Sequence, residues 1–417
     1  MIGLVDATSF YTSCEAVFNM ALRNKPLIVL SNNDGIVVAA NSLARAKGVE
    51  KFKPYFEVED LCKRHGVIAM SSNYELYLSL SNRLMDVIGH FGIEQHIYSI
   101  DESFIVPPAL GSLQAYVDHG ADIRRTVWKE CRLPVGVGYG ESLTLAKQAN
   151  YASKKLSGYQ GVCVIGDKKS YNDVLTRSPV SSVWGVGSKL ADKLTRLGIK
   201  TAMDLAKFPI PEAQRYFSVE MERVIRELRG ERVKSWDLVK ADKKQIFSTR
   251  STKDRIVDQQ SLNQAMVKHA SIVARKAREQ QSLISTMVCF GASSAFDANK
   301  FNRKLVHKFT NPTNDTTVVA SVVSTLVEQI FKKGLGFYKV GVGALELVDE
   351  DSFQPDMFAE KHDDPRLMGV LDGLNQKYGA DSVFVASRGV DQAWDMKRGL
   401  LTPRYTTRWR DLPRVKC

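Results

Sequence analysis

Two adjacent acidic residues, Asp101 and Glu102, stand between two apolar runs and limit what this part of the chain can form. Residues 97–100 precede them and residues 104–106 follow, a pattern that predicts two short strands flanking an acidic pair. A buried, unpaired carboxylate is costly, so acidic residues in this setting are solvated, ion-paired or bound to a metal. On the local pattern alone a polar hairpin tip is the simpler interpretation, because charged side chains are mostly exposed.

A third carboxylate, that of Asp6, favours the metal interpretation. It follows an apolar strand predicted for residues 1–5, and small and aromatic residues come directly after it. Mg²⁺ prefers oxygen ligands, commonly one or two carboxylates together with phosphate and water. Two such ions about 4 Å apart can bind both the attacking and the leaving oxygen of a phosphoryl transfer. Asp6, Asp101 and Glu102 would suffice as protein ligands, although no spacing rule connects residues so far apart.

The composition indicates a multidomain protein with a polyanionic partner. A chain of 417 residues is too long for one ordinary core and predicts about two to four domains. Its net charge of +12 and its pI of about 9.3 favour a phosphate-rich partner. The six cysteines form no C-x-x-C pair, which fits a reduced cytosol. No stretch reaches the roughly 18 apolar residues of a membrane span, and we expect a cytoplasmic protein without a membrane partner.

Two motifs contain these carboxylates, and they resemble the catalytic motifs of the Y-family translesion DNA polymerases. Residues 5–15 read VDATSFYTSCE, and residues 98–104 read YSIDESF. Further resemblance lies in residues 30–35 (LSNNDG), 71–77 (SSNYELY) and 401–408 (LTPRYTTR). It covers essentially the whole chain and is greatest to the UmuC branch, the catalytic subunits of bacterial DNA polymerase V.

The resemblance implies an error-prone, template-directed DNA polymerase of the SOS response that copies past damaged bases. It would use two Mg²⁺ ions to transfer a nucleotide from a dNTP to a primer 3′-hydroxyl. Asp6, Asp101 and Glu102 would be the catalytic metal ligands, with the Ala7 carbonyl as a possible backbone ligand. Low fidelity would follow from a small fingers segment that checks base-pair shape weakly.

Several residues near these motifs correspond to the nucleotide pocket of the family. Tyr11 resembles the steric gate, a ring that packs on the deoxyribose and collides with a 2′-hydroxyl, and Phe10 backs the pocket. Without the resemblance, ordinary core packing is the simpler interpretation of both rings. Arg45 and Lys154 correspond to triphosphate-binding residues, although each could also be a solvated helix charge. Position 42 is Ser, where several relatives carry a Tyr that touches the phosphates.

The order of predicted strands and helices favours an α+β multidomain protein, a right-hand polymerase with a ferredoxin-like palm. The palm is predicted for residues 1–25 and 72–166, and the small fingers for residues 26–71. A helical, helix-hairpin-helix thumb is predicted for residues 167–240. An α/β little finger would cover residues 243–350, followed by a C-terminal partner-binding region, residues 351–417.

Two of these regions carry patterns expected for DNA contacts. Residues 183–190 form a G-x-G hairpin that opens a helix, and we expect Gly185, Gly187 and Lys189 to contact a DNA backbone phosphate. The pattern alone is weak and also resembles part of a nucleotide-binding loop. Residues 243–310 hold 13 Lys and Arg against 4 Asp and Glu, which predicts phosphate contacts by the little finger.

The partners expected from the sequence are primer-template DNA, a dNTP, a sliding clamp, a UmuD′-like dimer and a recombinase (RecA) filament. The clamp is predicted from a five-residue peptide that begins at Gln354, in which Met357 and Phe358 would fill an apolar pocket of the clamp. The last two partners, like a location at the bacterial nucleoid, are implied by the resemblance alone. Two other functions remained open: a non-catalytic DNA-binding or decoy subunit that keeps the shape, and a carboxylate-metal nuclease.

Overall fold

The computed structural model describes residues 1–236, 242–354, 363–390, 394 and 397–412. The chain divides into two compact units. One unit comprises Met1–Leu238 together with Arg398–Cys417, and the other comprises Val239–Lys397.

The strands of both units are listed here in chain order. They are β1 (Ile2–Ala7), β2 (Leu27–Leu30), β3 (Val37–Ala40), β4 (Ile68–Ser71), β5 (Glu94–Ile97), β6 (Glu102–Val106), β7 (Val135–Gly140), β8 (Val162–Val164), β9 (Ile246–Ile256), β10 (Ser282–Ala292), β11 (Asn302–Thr313) and β12 (Phe337–Asp349).

The α-helices are also listed in chain order. They are α1 (Phe10–Phe18), α2 (Ser42–Ala46), α3 (Tyr55–His65), α4 (Tyr74–Gly89), α5 (Leu113–Cys131), α6 (Leu143–Lys155), α7 (Lys168–Arg177), α8 (Ser188–Arg196), α9 (Ala202–Lys207), α10 (Ile210–Tyr216), α11 (Val219–Leu228), α12 (Gln259–Glu279), α13 (Thr316–Ile330) and α14 (Pro365–Tyr378).

A five-stranded sheet forms the centre of the first unit, with the strand order β5-β6-β1-β7-β8. All of its pairs are antiparallel except β7 with β8. Because side chains alternate along a strand, Val5 and Ala7 face one side of β1 and Leu4 and Asp6 face the other. Val5 belongs to the core that includes residues of α4 and α5, whereas Leu4 packs with residues of α6.

The predicted strand at residues 97–100 is shifted in the structure. Strand β5 ends at Ile97, and Glu102 is the first residue of β6, so residues 98–101 form the connection. The Ser99 hydroxyl holds this connection in place, because it donates a hydrogen bond of 2.7 Å to the Asp101 carboxylate and accepts one of 3.3 Å from the Asp101 amide. Such local side-chain bonds compete with strand pairing, which explains why the apolar pattern misplaced the strand.

A second, three-stranded sheet with the order β3-β2-β4 lies within residues 27–71, the range predicted as fingers. Strands β2 and β4 are parallel, and residues of α2 and α3 complete a small separate core. Helices α7 to α11 form a further core that also includes residues of α6. This helical region lies within the range predicted as the thumb.

The second unit is built on an antiparallel sheet with the order β11-β10-β12-β9. Val340 and Val342 of β12 are fully buried in the core that α12 and α13 complete. On the alternate positions of the sheet, Lys304, Lys308 and Lys339 are exposed. The sheet therefore presents one face to the helices and a second face that carries lysines.

The region predicted as one C-terminal partner-binding module is divided between the two units. In the second unit, the Arg278 guanidinium forms an ion pair of 2.7 Å with Asp372 of α14, and Met368 is buried. Residues 398–412 belong to the first unit. Among the helices described, none combines the length and the apolar character that crossing a membrane requires.

Candidate active site

The pairing of β1 with β6 brings the predicted carboxylates together. Asp6 lies opposite Glu102, and the Ala7 amide donates a hydrogen bond of 2.9 Å to the Asp101 carbonyl. Directly opposed residues on an antiparallel pair have Cβ atoms about 5 Å apart. Asp101 is also close enough to Asp6 for its charge to act on the Asp6 carboxyl. The three acidic residues thus share one end of the central sheet.

Three glycines of β7 allow α6 to approach this face of the sheet closely. Gly136, Gly138 and Gly140 pair with Asp6, Leu4 and Ile2, and they therefore lie on the same face. A Cβ atom at Gly138 would lie 2.0 Å from the Asn150 backbone nitrogen of α6, which no side chain could tolerate. The Asn150 amide group donates to the Gly136 carbonyl at 2.8 Å, which fixes the helix in this position. The absence of side chains at these three positions is what allows this close approach of α6.

Helix α6 directs two lysines at the carboxylates. The Lys154 ammonium lies 2.7 Å from Asp6 Oδ1, and the Lys147 ammonium lies 2.8 Å from Glu102 Oε2. The Lys147 side chain is only 14% exposed, and its Nζ also lies 4.3 Å from the centre of the Tyr98 ring. A cation over an aromatic face is attracted by the ring, so Tyr98 helps to hold Lys147.

Burial and these lysines act in opposite directions on the carboxylates. Burial raises the pKa of Asp6 and the pKa of Glu102, and this effect is larger than the lowering by Lys154 and Lys147 respectively. Desolvation disfavours the charged form of a carboxyl group, and a nearby cation favours it. Keeping the Asp6 and Glu102 carboxyl groups ionised therefore costs free energy, and an additional cation near them would reduce that cost.

The donor set fits a hard divalent cation, but the side chains are engaged in other contacts. Within the described ranges, no three His, Cys, Asp or Glu side chains converge as a metal-holding cluster. Asp6 and Glu102 instead contact Lys154 and Lys147. Three carboxylates supply the oxygen ligands that Mg²⁺ prefers. A cation at this site would share Asp6 and Glu102 with the lysines or displace them.

Tyr11 lies in an aromatic cluster beside the carboxylates. Its ring stacks on that of Tyr77 with centroids 4.8 Å apart, and it meets Tyr74 edge to face at 6.2 Å. Tyr11 is partly exposed, whereas its neighbour Phe10 is buried in the core at 3% exposure. The two predicted pocket rings thus differ in exposure, since Tyr11 is partly accessible to solvent and Phe10 is not.

The buried acid Glu15 contacts this aromatic cluster through Tyr77. The Tyr77 hydroxyl donates a hydrogen bond of 2.5 Å to Glu15 Oε1, and both side chains are almost fully buried. Burial raises the pKa of Glu15, and the hydroxyls of Tyr77 and then Thr402 act against the increase.

The two residues predicted to bind the triphosphate, Lys154 and Arg45, make different contacts in the structure. Lys154 contacts Asp6, while the Arg45 guanidinium donates to the Ala40 carbonyl at 2.7 Å. The pKa of Lys51 is lowered, chiefly by burial and then by Arg45, whereas Asp101 acts to raise it. Lys51, which follows α2, therefore lies within electrostatic range both of Arg45 and of Asp101.

The predicted DNA-binding hairpin is exposed. Gly185 has φ +91°, a backbone conformation that glycine adopts readily, and Gly187 is the residue before α8. Lys189 is exposed in the first turn of this helix. The hairpin therefore leaves backbone and a lysine accessible to a ligand.

The predicted clamp peptide lies largely outside the described residues. Gln354 is exposed at the last position described before a gap, and Met357 and Phe358 fall within that gap.

Three further residues of the site were not predicted from the sequence. Lys147 shares a helix face with Lys154 at a spacing of seven residues, which was the available signal, but only Lys154 was assigned a role. Glu15 and Thr402 had no local signal, because their importance arises from contacts with residues distant in the chain.

Comparisons with known proteins place these features in a family. The impB/mucB/samB family model matches residues 5–151, and the C-terminal domain model of the same family matches residues 243–357. A domain of unknown function matches residues 365–415.

Curated relatives align over nearly the whole chain. Protein UmuC of Salmonella typhimurium is 36% identical over 422 residues and covers 100% of both chains. Protein MucB of Escherichia coli is 32% identical over 418 residues, which is 99% of both chains. DNA polymerase IV 2 of Bacillus subtilis is 25% identical, covering 93% of this chain and 94% of its own.

Solved structures confirm the predicted right-hand polymerase fold. A chimera of the Y-family DNA polymerases Dbh and Dpo4 matches with a TM-score of 0.62 at 19% identity, covering 82% of this chain and 98% of its own. An insertion ternary complex of Dbh DNA polymerase matches with a TM-score of 0.52 at 19% identity, covering 84% and 100%.

The full-length similarity to UmuC, together with that to DNA polymerase IV 2, supports the polymerase among the three functions considered. The chain therefore belongs to the impB/mucB/samB family of Y-family polymerases, the DNA-directed DNA polymerases that carry out error-prone synthesis past damaged template bases.

Proposed function

We propose that this polymerase binds two Mg²⁺ ions through Asp6, Asp101, Glu102 and the Ala7 carbonyl. The observation that carries the proposal is the opposition of Asp6 and Glu102, each balanced by a lysine of α6. Bound Mg²⁺ would polarise the α-phosphate, activate the primer 3′-hydroxyl and stabilise the leaving oxygens.

The lysines of α6 would then move from the carboxylates to the substrate. When cations neutralise Asp6 and Glu102, the ammonium groups of Lys154 and Lys147 lose their partners and can bind phosphate oxygens of a dNTP. Charge-assisted hydrogen bonds of this kind are roughly twice as strong as neutral ones. Arg45, at the end of α2, would supply a further donor to the triphosphate.

Tyr11 would select the sugar. Its partly exposed ring, held by Tyr77, would pack on the deoxyribose and collide with a 2′-hydroxyl. Phe10 would contribute by packing behind Tyr11 in the core.

The DNA would be held through its phosphates. In the first unit, the exposed hairpin with Gly185, Gly187 and Lys189 would bind one backbone phosphate. In the second unit, the lysine-bearing face of the sheet would make further contacts without reading sequence. We infer a cytoplasmic, nucleoid-associated protein from its DNA substrate and its bacterial relatives.

The remaining partners are a sliding clamp, a UmuD′-like dimer and a recombinase (RecA) filament, and the similarity to UmuC supports all three. The clamp would bind the peptide that contains Gln354, Met357 and Phe358. Met357→Ala with Phe358→Ala should abolish stimulation by the clamp and leave distributive synthesis intact. Equal clamp binding by this variant and the parent would show that the peptide is only a linker.

The experiment that tests the metal site is primer extension by the variant Asp101→Asn with Glu102→Gln. We expect no extension, while primer-template affinity, measured by fluorescence anisotropy, stays close to that of the parent. The matched control is Asp122→Asn with Glu130→Gln, which changes two exposed acids of α5 and should extend normally. Extension by the first variant at the parent rate would overturn the assignment of the ligands.

A further inference from the structure

Residues 398–405, which we call the C-terminal strap, lie beside the start of α4. The Leu400 amide donates to the Ser71 hydroxyl at 2.9 Å, and the Ser71 amide donates to the Leu400 carbonyl at 3.1 Å. The Gly399 amide donates to the Asp34 carboxylate at 2.9 Å. The strap is therefore held by backbone hydrogen bonds as well as by side chains.

Asn73, the residue that caps α4, is shared between the helix and the strap. Its Oδ1 atom accepts a hydrogen bond from the Leu76 amide at 3.4 Å. Its amide group donates to Thr402 Oγ1 at 3.0 Å, to the Thr402 carbonyl at 3.1 Å and to the Pro403 carbonyl at 3.2 Å. Asn73 is fully buried, so losing these acceptors would leave buried donors unsatisfied.

Glu75, in the first turn of α4, binds two arginines of the strap. The Arg398 guanidinium contacts both of its carboxylate oxygens, at 2.9 and 3.2 Å, and Arg404 contacts one at 2.9 Å. The hydrogen bond from Arg398 is the main reason that the pKa of Glu75 lies below its usual value. The Arg398 side chain is 16% exposed, so this pair is better shielded from solvent than a surface salt bridge.

The strap also contacts α1, the helix that carries Tyr11. The Tyr405 ring stacks on Phe18 with centroids 4.9 Å apart. The Thr402 hydroxyl acts on Glu15, the acid that accepts the hydrogen bond from Tyr77. The strap thus contacts both helices that form the aromatic cluster, at points behind the ring of Tyr11.

We propose that the C-terminal strap positions the sugar-selecting ring, and that Arg398, Thr402 and Arg404 are positioning residues for nucleotide selection. They hold α1 and α4 in register, so that Tyr77 supports the Tyr11 ring at a fixed distance from the sugar. The proposal rests on the proposed role of Tyr11 as the steric gate. It assigns a function in the polymerase reaction to part of a domain of unknown function.

The test uses the full chain and two independent variants, Arg398→Gln with Arg404→Gln, and Thr402→Val. The ratio of kcat/KM for a dNTP to that for the matching rNTP should fall about tenfold, because a displacement of about 1 Å can change a rate by up to roughly 100-fold. The ratio is measured well below the melting temperature of each variant. Loss of folded protein lowers both rates equally and leaves the ratio unchanged.

The chain offers matched controls for both variants. Arg410 lies in the same tail with a side chain 69% exposed, and Arg410→Gln should keep the parent ratio. Thr402→Ser retains the hydroxyl and should restore most of the selectivity that Thr402→Val loses. If the arginine variant does not fold, the pair of Thr402 variants decides the question.

Combination with Tyr11→Ala separates this inference from the proposal on which it rests. If Tyr11→Ala leaves the ratio unchanged, the gate assignment is wrong. If Tyr11→Ala lowers the ratio but neither strap variant does, the gate stands and the strap inference is wrong. In the Tyr11→Ala background the strap substitutions should have no further effect on the ratio, and a full additive effect would show that they act elsewhere.

Discussion

The Lys154 ammonium group lies 2.7 Å from the Asp6 carboxylate. The two side chains are about equally exposed, at 23% each, so the pair is accessible to solvent and to ligands. We propose that this lysine balances the charge of Asp6 until cations bind there and that it then becomes available for phosphate.

This pairing predicts a specific kinetic effect of Lys154→Met. The KM for the incoming dNTP should rise by about 10-fold or more, since a charged hydrogen bond contributes about 1.5–3 kcal/mol. Steady-state single-nucleotide insertion is the measurement. Lys155→Met, which removes the exposed neighbouring lysine, is the control and should keep the parent KM. An unchanged KM in Lys154→Met would show that this lysine only balances Asp6.

The raised pKa values of Asp6 and Glu102 predict how metal affinity depends on pH. A raised pKa means that protons compete with cations at higher pH than at an ordinary carboxyl group. Mg²⁺ affinity should therefore fall as the pH decreases through a range above the usual carboxyl values, near 4. Lys147→Met should move this loss to still higher pH, because Lys147 lowers the pKa of Glu102. Isothermal titration calorimetry with Mg²⁺ at several pH values measures where affinity is lost in the parent and in Lys147→Met. Loss of affinity at a lower pH in Lys147→Met than in the parent would contradict the prediction.

Tyr11→Ala is expected to change sugar selection rather than stability alone. Relative use of the ribonucleotide should rise about 100-fold, which corresponds to roughly 2.7 kcal/mol of differential transition-state binding. Phe10→Ala provides the contrast, because Phe10 is a buried core ring and its loss should cost about 3–5 kcal/mol of stability. Insertion ratios and thermal melting of both variants are compared. If a folded Tyr11→Ala enzyme keeps the parent ratio of deoxyribonucleotide to ribonucleotide insertion, Tyr11 is not the steric gate.

Gly138→Ala should destabilise the first unit. The new Cβ atom would lie 2.0 Å from the Asn150 nitrogen, so β7 and α6 must move apart. Overpacking of this kind costs typically about 1–3 kcal/mol, and it would displace both lysines from the carboxylates. Gly111→Ala is the control, since a Cβ atom there meets no atom within 4 Å. Thermal melting and insertion rates should both decline for Gly138→Ala only.

Much of the fold could be predicted from local patterns, because its long helices and alternating strands carry clear periodicity. The helical periodicity of residues 262–280 coincides with α12 (Gln259–Glu279), and the alternation of residues 284–290 coincides with the centre of β10. The connection at residues 98–101 was less predictable, because a hydrogen bond from the Ser99 side chain, and not strand pairing, fixes its conformation.

The site was predictable only in part. The acids of the two motifs could be identified by resemblance, but periodicity cannot show that Asp6 and Glu102 are paired on neighbouring strands. The strap is a clearer case, because Asn73 and Thr402 are 329 residues apart and no local rule connects them. The spacing from Lys154 places Lys147 on the same face of α6, but its contact with Glu102 depends on how closely α6 packs on the glycines of β7.

The opposition of Asp6 and Glu102 has a consequence for how such enzymes can diversify. Both residues belong to adjacent strands, so their separation depends on the sheet and not on the length of chain between them. The small sheet β2-β4 and helices α2 and α3 all lie in that interval. Insertions and deletions there can reshape this small sheet and its helices while the separation of the two acids is inherited unchanged. The surroundings of the two carboxylates can therefore evolve independently of the distance between them.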